Sequence, residues 1–285
     1  MNIFINGKKA DITLDTEKTL GDVLQGIDLW ISPAGSRIQD IQLDGVLLGD
    51  ETLSGALLKD IREIKNLEIS VSTWRELAAE ALDTLQKTCA LYMDAQFDDR
   101  NQIKSDWEMS AAGRFLASDI RDMYELSSLV LSGEGISASD FSVLIGERQR
   151  EVSDPKQETD AAENLVKNIA KRMEDLPLDM QTGKDLKAAE TVQLFAHTNE
   201  KLFRIFFILR SEWLSLDTFM IEDQNARVFI DDFNAALKEL SAAYGNRDTV
   251  LAGDIAEYEL APRLLKFYTT LKGLTESNCP IIPMH

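Results

Sequence analysis

Residues 41–71 read IQLDGVLLGDETLSGALLKDIREIKNLEISV. An apolar run stops at Asp44-Gly45, a dipeptide that favours a two-residue hairpin turn because both positions tolerate positive φ. Val46, Leu47 and Leu48 then read as a short return strand. After Gly49 the pattern changes to a brief helix opened by Asp50 or Thr52, and LEISV (67–71) alternates like a half-buried strand. The stretch therefore predicts strand, short strand, short helix and strand.

Upstream, MNIFING (1–7) and ADITLD (10–15) are β-type runs with Gly7 and two lysines between them, which predicts a hairpin. Asp15 or Thr16 can cap a helix whose apolar positions are Leu20, Val23, Leu24 and Ile27. SPAGSR (32–37) is a loop by composition, and IQDIQLDG (38–45) is the third strand and its turn. This order resembles the ubiquitin-like β-grasp fold. The matching residues are MNIFI, ITLD, IQLDGVLLGDETLS and NLEISV, within residues 1–72. Conjugating members of that family end in a free Gly-Gly. Here Val71 and Ser72 run on into Thr73 and Trp74, so the resemblance does not extend to conjugation or sulfur carriage. The iron–sulfur members need four cysteines, and residues 1–72 contain none. Two uses remain: a docking module, or a sheet that caps the rest of the chain.

From Thr73 the apolar period changes from 2 to 3.6. STWRELAAEALDTLQKTCALYMDAQF (72–97) opens with a capping-box pattern, Ser72 or Thr73 ahead of Glu76. Further helices are predicted over 103–131, 139–151, 158–175, 183–219, 222–244 and 247–273, with no strand signal and a proline-containing tail, SNCPIIPMH (277–285). Pro155 marks a break, because proline disfavours helical geometry in the residue before it. The fold class read from these patterns is α+β: a β-grasp domain over 1–72, then an all-α antiparallel helical bundle over 73–276, then the tail.

Composition narrows the functions. The 285 residues include 49 Asp and Glu against 30 Lys and Arg, for a net charge of −19. Phosphate backbones and anionic lipid surfaces both require clustered cations, so the charge argues against an extended nucleic-acid surface and against electrostatic docking on anionic lipid, and neither nucleic acid nor membrane insertion is expected. A protein partner remains, and a basic one suits the charge; self-association is compatible with it. The most apolar helical stretch, KLFRIFFILRSEWLSL (201–216), is interrupted by Arg204 and Arg210 and is too short to span a bilayer. Two cysteines, Cys89 and Cys279, provide no disulfide framework. With no cationic-then-apolar leader at the start, a cytoplasmic location is expected.

Candidate chemistry is sparse. The two histidines are His197 and the terminal His285, too few for a multi-imidazole metal site. AHT (196–198) is similar to the opening of the histidine phosphotransfer motif. That family continues with an apolar residue, Lys and Gly, whereas Asn199, Glu200 and Lys201 follow here. A carboxylate beside a phosphohistidine is repulsive. The acidic pairs in FDDRNQ (97–102) and IDDFNA (230–235) lack the second partner motif that diphosphate sites use. No glycine-rich phosphate loop or serine-centred nucleophile elbow occurs.

GDIAEYELAPRLLKFY (253–268) is the most distinctive helical stretch. Glu257, Tyr258 and Glu259 precede Pro262 inside an otherwise continuous helical pattern, so a kink is expected there. FIDDFNAAL (229–237), with Asp231 and Asp232, is expected as its neighbour. Binding residues are therefore sought at Glu257, Tyr258, Glu259, Pro262, Asp231 and Asp232. The leading expectation is a non-catalytic protein–protein interaction scaffold or adaptor without cofactor or metal. The alternatives are phosphotransfer through His197 and a helical bundle that holds a small ligand near Pro262.

Overall fold

The computed structural model describes residues 1–32, 35–213, 219–221 and 223–276. The chain starts with strands β1 (Asn2–Ile5) and β2 (Lys8–Lys9), helix α1 (Leu20–Ile31), strands β3 (Ser36–Leu43) and β4 (Val46–Leu47), helix α2 (Asp50–Ala56), a 3-10 turn at Ile61–Glu63 and strand β5 (Asn66–Thr73). The sheet order is β2-β1-β5-β3-β4. β1 and β5 are parallel and the other neighbours antiparallel, so β5 enters between the two hairpins. α1 covers one sheet face with Leu20, Val23, Leu24, Ile27 and Ile31, which bury against Ile3, Ile5, Leu67 and Ile69. Each such side chain contributes roughly 1.5–3 kcal/mol of apolar burial.

Both hairpins turn on two residues with positive φ: Asn6 (49°) and Gly7 (74°), then Asp44 (50°) and Gly45 (85°). The second turn is where the sequence placed it. The first corrects the expected hairpin. The two lysines are not turn residues; they are β2 itself, paired with Ile5 and Phe4. ADITLD (10–15) forms no strand beyond the bond from Ala10 N–H to the Ile3 carbonyl, because a turn at residues 6–7 spends the pairing early. The cap of α1 is also later than expected: Thr19 accepts from Asp22 N–H, and the Asp22 carboxylate accepts from Thr19 N–H in return.

The remainder is mainly helical: α3 (Trp74–Asp94), α4 (Phe97–Met109), α5 (Ala111–Asp119), α6 (Arg121–Val130), α7 (Ala138–Ser153), α8 (Pro155–Ala161), α9 (Glu163–Glu174), α10 (Leu176–Gln181), α11 (Asp185–Trp213), α12 (Ala226–Gly245), α13 (Thr249–Asp254) and α14 (Ala261–Glu276). α3 has the capping box read from the sequence, between Thr73 and Glu76. Asp154 caps α8 through Gln157 N–H, with Pro155 at the first helical position, where its missing N–H costs nothing.

Several expectations fail here, and one is the single helix over 158–175, which is α8 and α9 parted at Ala162. The single helix expected over 103–131 is three helices. Ser110 sits in extended geometry (ψ 156°) and caps α5 through Gly113 N–H, and Ile120 (φ −135°, ψ 61°) separates α5 from α6. The region is also not free of strands: Met220–Ile221 (β6) and Gln224–Asn225 (β7) form a small antiparallel hairpin before α12. The tail 277–285, with Cys279 and His285, lies outside the described residues, as do the last residues of KLFRIFFILRSEWLSL. Among the described residues no helix is long and apolar enough to cross a membrane.

The chain divides into two compact units. One holds Met1–Gly146 and Ser211–Trp213; the other holds Glu147–Arg210 and the chain from Leu214 onward. In the first, Asp119 at the end of α5 joins sheet and helices. Its Oδ1 lies 2.9 Å from Arg37 Nη1 of β3 and accepts from Trp74 Nε1 of α3 at 3.2 Å. The second has an aromatic core in which Phe203 and Phe267 approach to 4.5 Å and Phe206, Phe229 and Phe233 surround them.

Candidate functional site at the wide turn before Pro262

Pro262 lacks an N–H, and in a regular α-helix its ring would strike the carbonyl of Tyr258, four residues back. The chain avoids the clash by widening. Ile255–Leu260 is a π-helical turn, with Ala261 N–H bonded to the Ala256 carbonyl five residues back. The expected kink is thus a widened turn between α13 and α14. Gly253 sets its entrance, since a Cβ there would meet Pro177 Cβ of α10 at 2.9 Å. Widening pushes Tyr258 outward to 68% exposure while Leu260 and Ala261 stay buried.

Beside this turn the β6–β7 hairpin folds over the start of α12. Ala226 N–H bonds to the Phe219 carbonyl at 2.9 Å, and the Asn225 side chain caps α12 through Arg227 N–H. Between them lies a hollow of about 280 Å³. Ile221, Asp223 and Gln224 come from the hairpin, Phe229 from α12, Tyr258 and Glu259 from the wide turn, and Pro262, Arg263 and Lys266 from α14. Phe229 also packs on Phe233 and Phe267, so the floor continues into the aromatic core. Glu259 Oε2 holds Arg263 Nη1 at 2.9 Å. Gln224 Nε2 donates to Asp232 Oδ2 at 2.6 Å. The Tyr258 phenol is raised, first by its hydrogen bond to the Glu257 carboxylate and then by that group's charge.

Tyr258, Glu259 and Pro262 therefore line one hollow. Glu257 adjoins it through Tyr258, and Asp232 through Gln224. Asp231 is two residues from Phe229, which on a helix turns it away from the wall that Phe229 makes. Sequence reading did not reach Ile221, Asp223, Gln224, Phe229, Arg263 or Lys266 as site residues. A signal existed for two of them. Tyr258, Pro262 and Lys266 recur at four-residue intervals along one face, and Glu259-Arg263 is an i,i+4 charge pair. The hairpin residues carried no such pattern.

The other candidates lie elsewhere. His197 is exposed on α11, between the exposed Ala196 and the buried Thr198 and Asn199. Lys201, one turn on, reaches Glu158 Oε2 at 2.6 Å and Glu147 Oε1 at 3.6 Å. These contacts belong to an ionic cluster centred on Glu151, whose side chain is fully buried. Arg204 grips Glu151 with two bonds, Nε to Oε2 at 2.9 Å and Nη2 to Oε1 at 2.8 Å. Burial pushes the Glu151 carboxyl up to about 8 against the pull of Arg148 and Lys201. Cys89 is buried, and burial raises its thiol to about 11, far from a reactive thiolate. Among the described residues no three His, Cys, Asp or Glu side chains are grouped to hold a metal ion.

Two family comparisons match parts of the chain. Residues 1–73 match a family described as the TP0873 N-terminal domain. Residues 158–270 match a family described as a domain of unknown function (DUF8042). The first match ends where β5 ends, and the second contains every residue of the hollow. No curated protein and no solved structure matches.

Proposed function

We propose that the protein is a non-catalytic adaptor that holds a protein partner at the hollow beside the wide turn. The observation that carries this reading is the hollow's make-up: a buried apolar floor of Ile221 and Phe229, edged by the exposed Pro262, beside an exposed phenol and charges of both signs. Such a site fixes and orients a bound group through a few polar contacts around an apolar anchor. Glu259 is engaged with Arg263, and the adjoining Asp232 with Gln224, which suits recognition more than proton transfer. The wide turn adds support, because π-turns recur where function, and not helix stability, decides local geometry.

In this reading residues 1–72 are a ubiquitin-like β-grasp domain and the helices an antiparallel bundle. The sheet order, with a late strand inserted parallel to the first, supports the former. The grasp is held to α3 and α5 by Asp119 and serves as a fixed platform. A photo-crosslinking residue placed at Tyr258 in the full chain, in its host cells, tests the reading. A discrete adduct is expected from position 258 and none from position 231 on the far face of α12. Equal labelling from both positions, or none from 258, would remove the hollow from consideration.

A further inference from the structure

If the hollow is the binding site, its size and surrounding charge define what it takes. We infer that it receives one large apolar side chain, aromatic or branched aliphatic, from a short basic segment of the partner, with Lys or Arg on either side of the anchor.

The size argument comes first. At about 280 Å³ the hollow lies just below the range for small-molecule sites, roughly 300–1,000 Å³, and suits one side chain better than a cofactor-sized ligand. Its floor is apolar and includes the edge of an aromatic ring, Phe229. An inserted ring would meet Phe229 and the flank of Tyr258, the kind of buried anchor that dominates peptide recognition.

Charge then selects the flanks. Within the lining, Asp223 and Glu259 offset Arg263 and Lys266. Just outside it Arg227 stands at the start of α12, whereas the neighbours of Tyr258 along the wide turn are acidic. Glu257 is the chain neighbour of Tyr258, Asp254 stands four residues before it, and Asp232 holds Gln224. Glu259 already engages Arg263. A segment crossing the hollow by way of Tyr258 thus passes carboxylates, and the whole chain, at −19, attracts cations from a distance. An acidic segment would meet repulsion on the same path.

The test uses the full chain and three synthetic pentapeptides, Lys-Arg-Phe-Arg-Lys, Lys-Arg-Gly-Arg-Lys and Glu-Glu-Phe-Glu-Glu, with binding read by calorimetry. The first should bind about tenfold or more tightly than the second, a difference of about 1.4 kcal/mol, and the third should not bind. Tyr258→Ala should erase the advantage of phenylalanine over glycine. Tyr258 is 68% exposed, so its truncation opens no core, and an unchanged melting curve verifies the fold. Glu257→Lys should weaken the first peptide and leave the far-ultraviolet spectrum as it was. Equal binding of the two basic peptides would overturn the anchor. Tyr258-dependent binding of the acidic peptide would overturn the charge assignment while leaving the hollow as a site. Binding indifferent to Tyr258 would overturn both.

Discussion

Asn6 stands in for a strand residue. At φ 49° it has turned the chain out of β1, yet its side-chain amide donates to the Val71 carbonyl at 2.9 Å and accepts from Val71 N–H at 2.8 Å. Asn6→Ala loses both bonds and a residue tolerant of left-handed geometry, and should cost about 1–2 kcal/mol in urea unfolding. Asn6→Gly should cost less, since it keeps the geometry. Gly113 is constrained differently. A Cβ there would clash with the Trp107 carbonyl oxygen, so Gly113→Ala must shift the start of α5 and should cost about 1–3 kcal/mol by thermal unfolding. At Glu151 the decisive partner is Arg204. Arg204→Ala removes two bonds and leaves the buried carboxyl with Arg148 Nη1 at 3.3 Å, so it should cost about 1–3 kcal/mol. Replacing both residues with apolar ones of like volume should cost far less. Equal costs would show that packing, and not the charge pair, sets the stability.

At the scale of elements, α9 and α14 are clasped by Glu163. Its carboxylate reaches Lys272 at 2.6 Å and Lys167 at 2.7 Å, and bonds to these two ammonium groups lower it from 4.5 to about 2. A depressed carboxyl stabilises the fold above its unfolded value and loses that contribution as pH falls through its folded one. The melting temperature should therefore fall between pH 4.5 and about 2 more steeply in the native chain than in Glu163→Gln. Parallel curves would deny the clasp. Elements also show what the sequence made legible. The Asp44-Gly45 turn and the Thr73–Glu76 capping box were readable because a few adjacent residues decide each. The break at Ser110 was not: Ser-Ala-Ala-Gly has ordinary helical composition, and only the close approach of Gly113 to Trp107 requires a turn. The β6–β7 hairpin escaped notice for a similar reason. Two-residue strands leave no alternation to read, and their place depends on Ile221 joining the aromatic core.

Across the whole molecule, chemistry-bearing residues are scarce and the distinctive geometry is concentrated. Pro262 was visible in the sequence as a fault in a helix; the way the helix accommodates it, by widening and presenting Tyr258, was not. The wall opposite, made by the hairpin and Phe229, depends on a return of the chain that no local pattern encodes. Exposed apolar residues also occur on the N-terminal sheet, with Val46 and Leu47 on its β4 edge and Trp30 at the end of α1, so the sheet is the natural rival for partner contact. Hydrogen–deuterium exchange of the full chain, with and without Lys-Arg-Phe-Arg-Lys at saturation, decides between the two surfaces. Slowed exchange is expected in residues 223–232 and 254–266. Slowed exchange confined to residues 27–32 and 42–48 would place the partner on the sheet and contradict the hollow as the binding site.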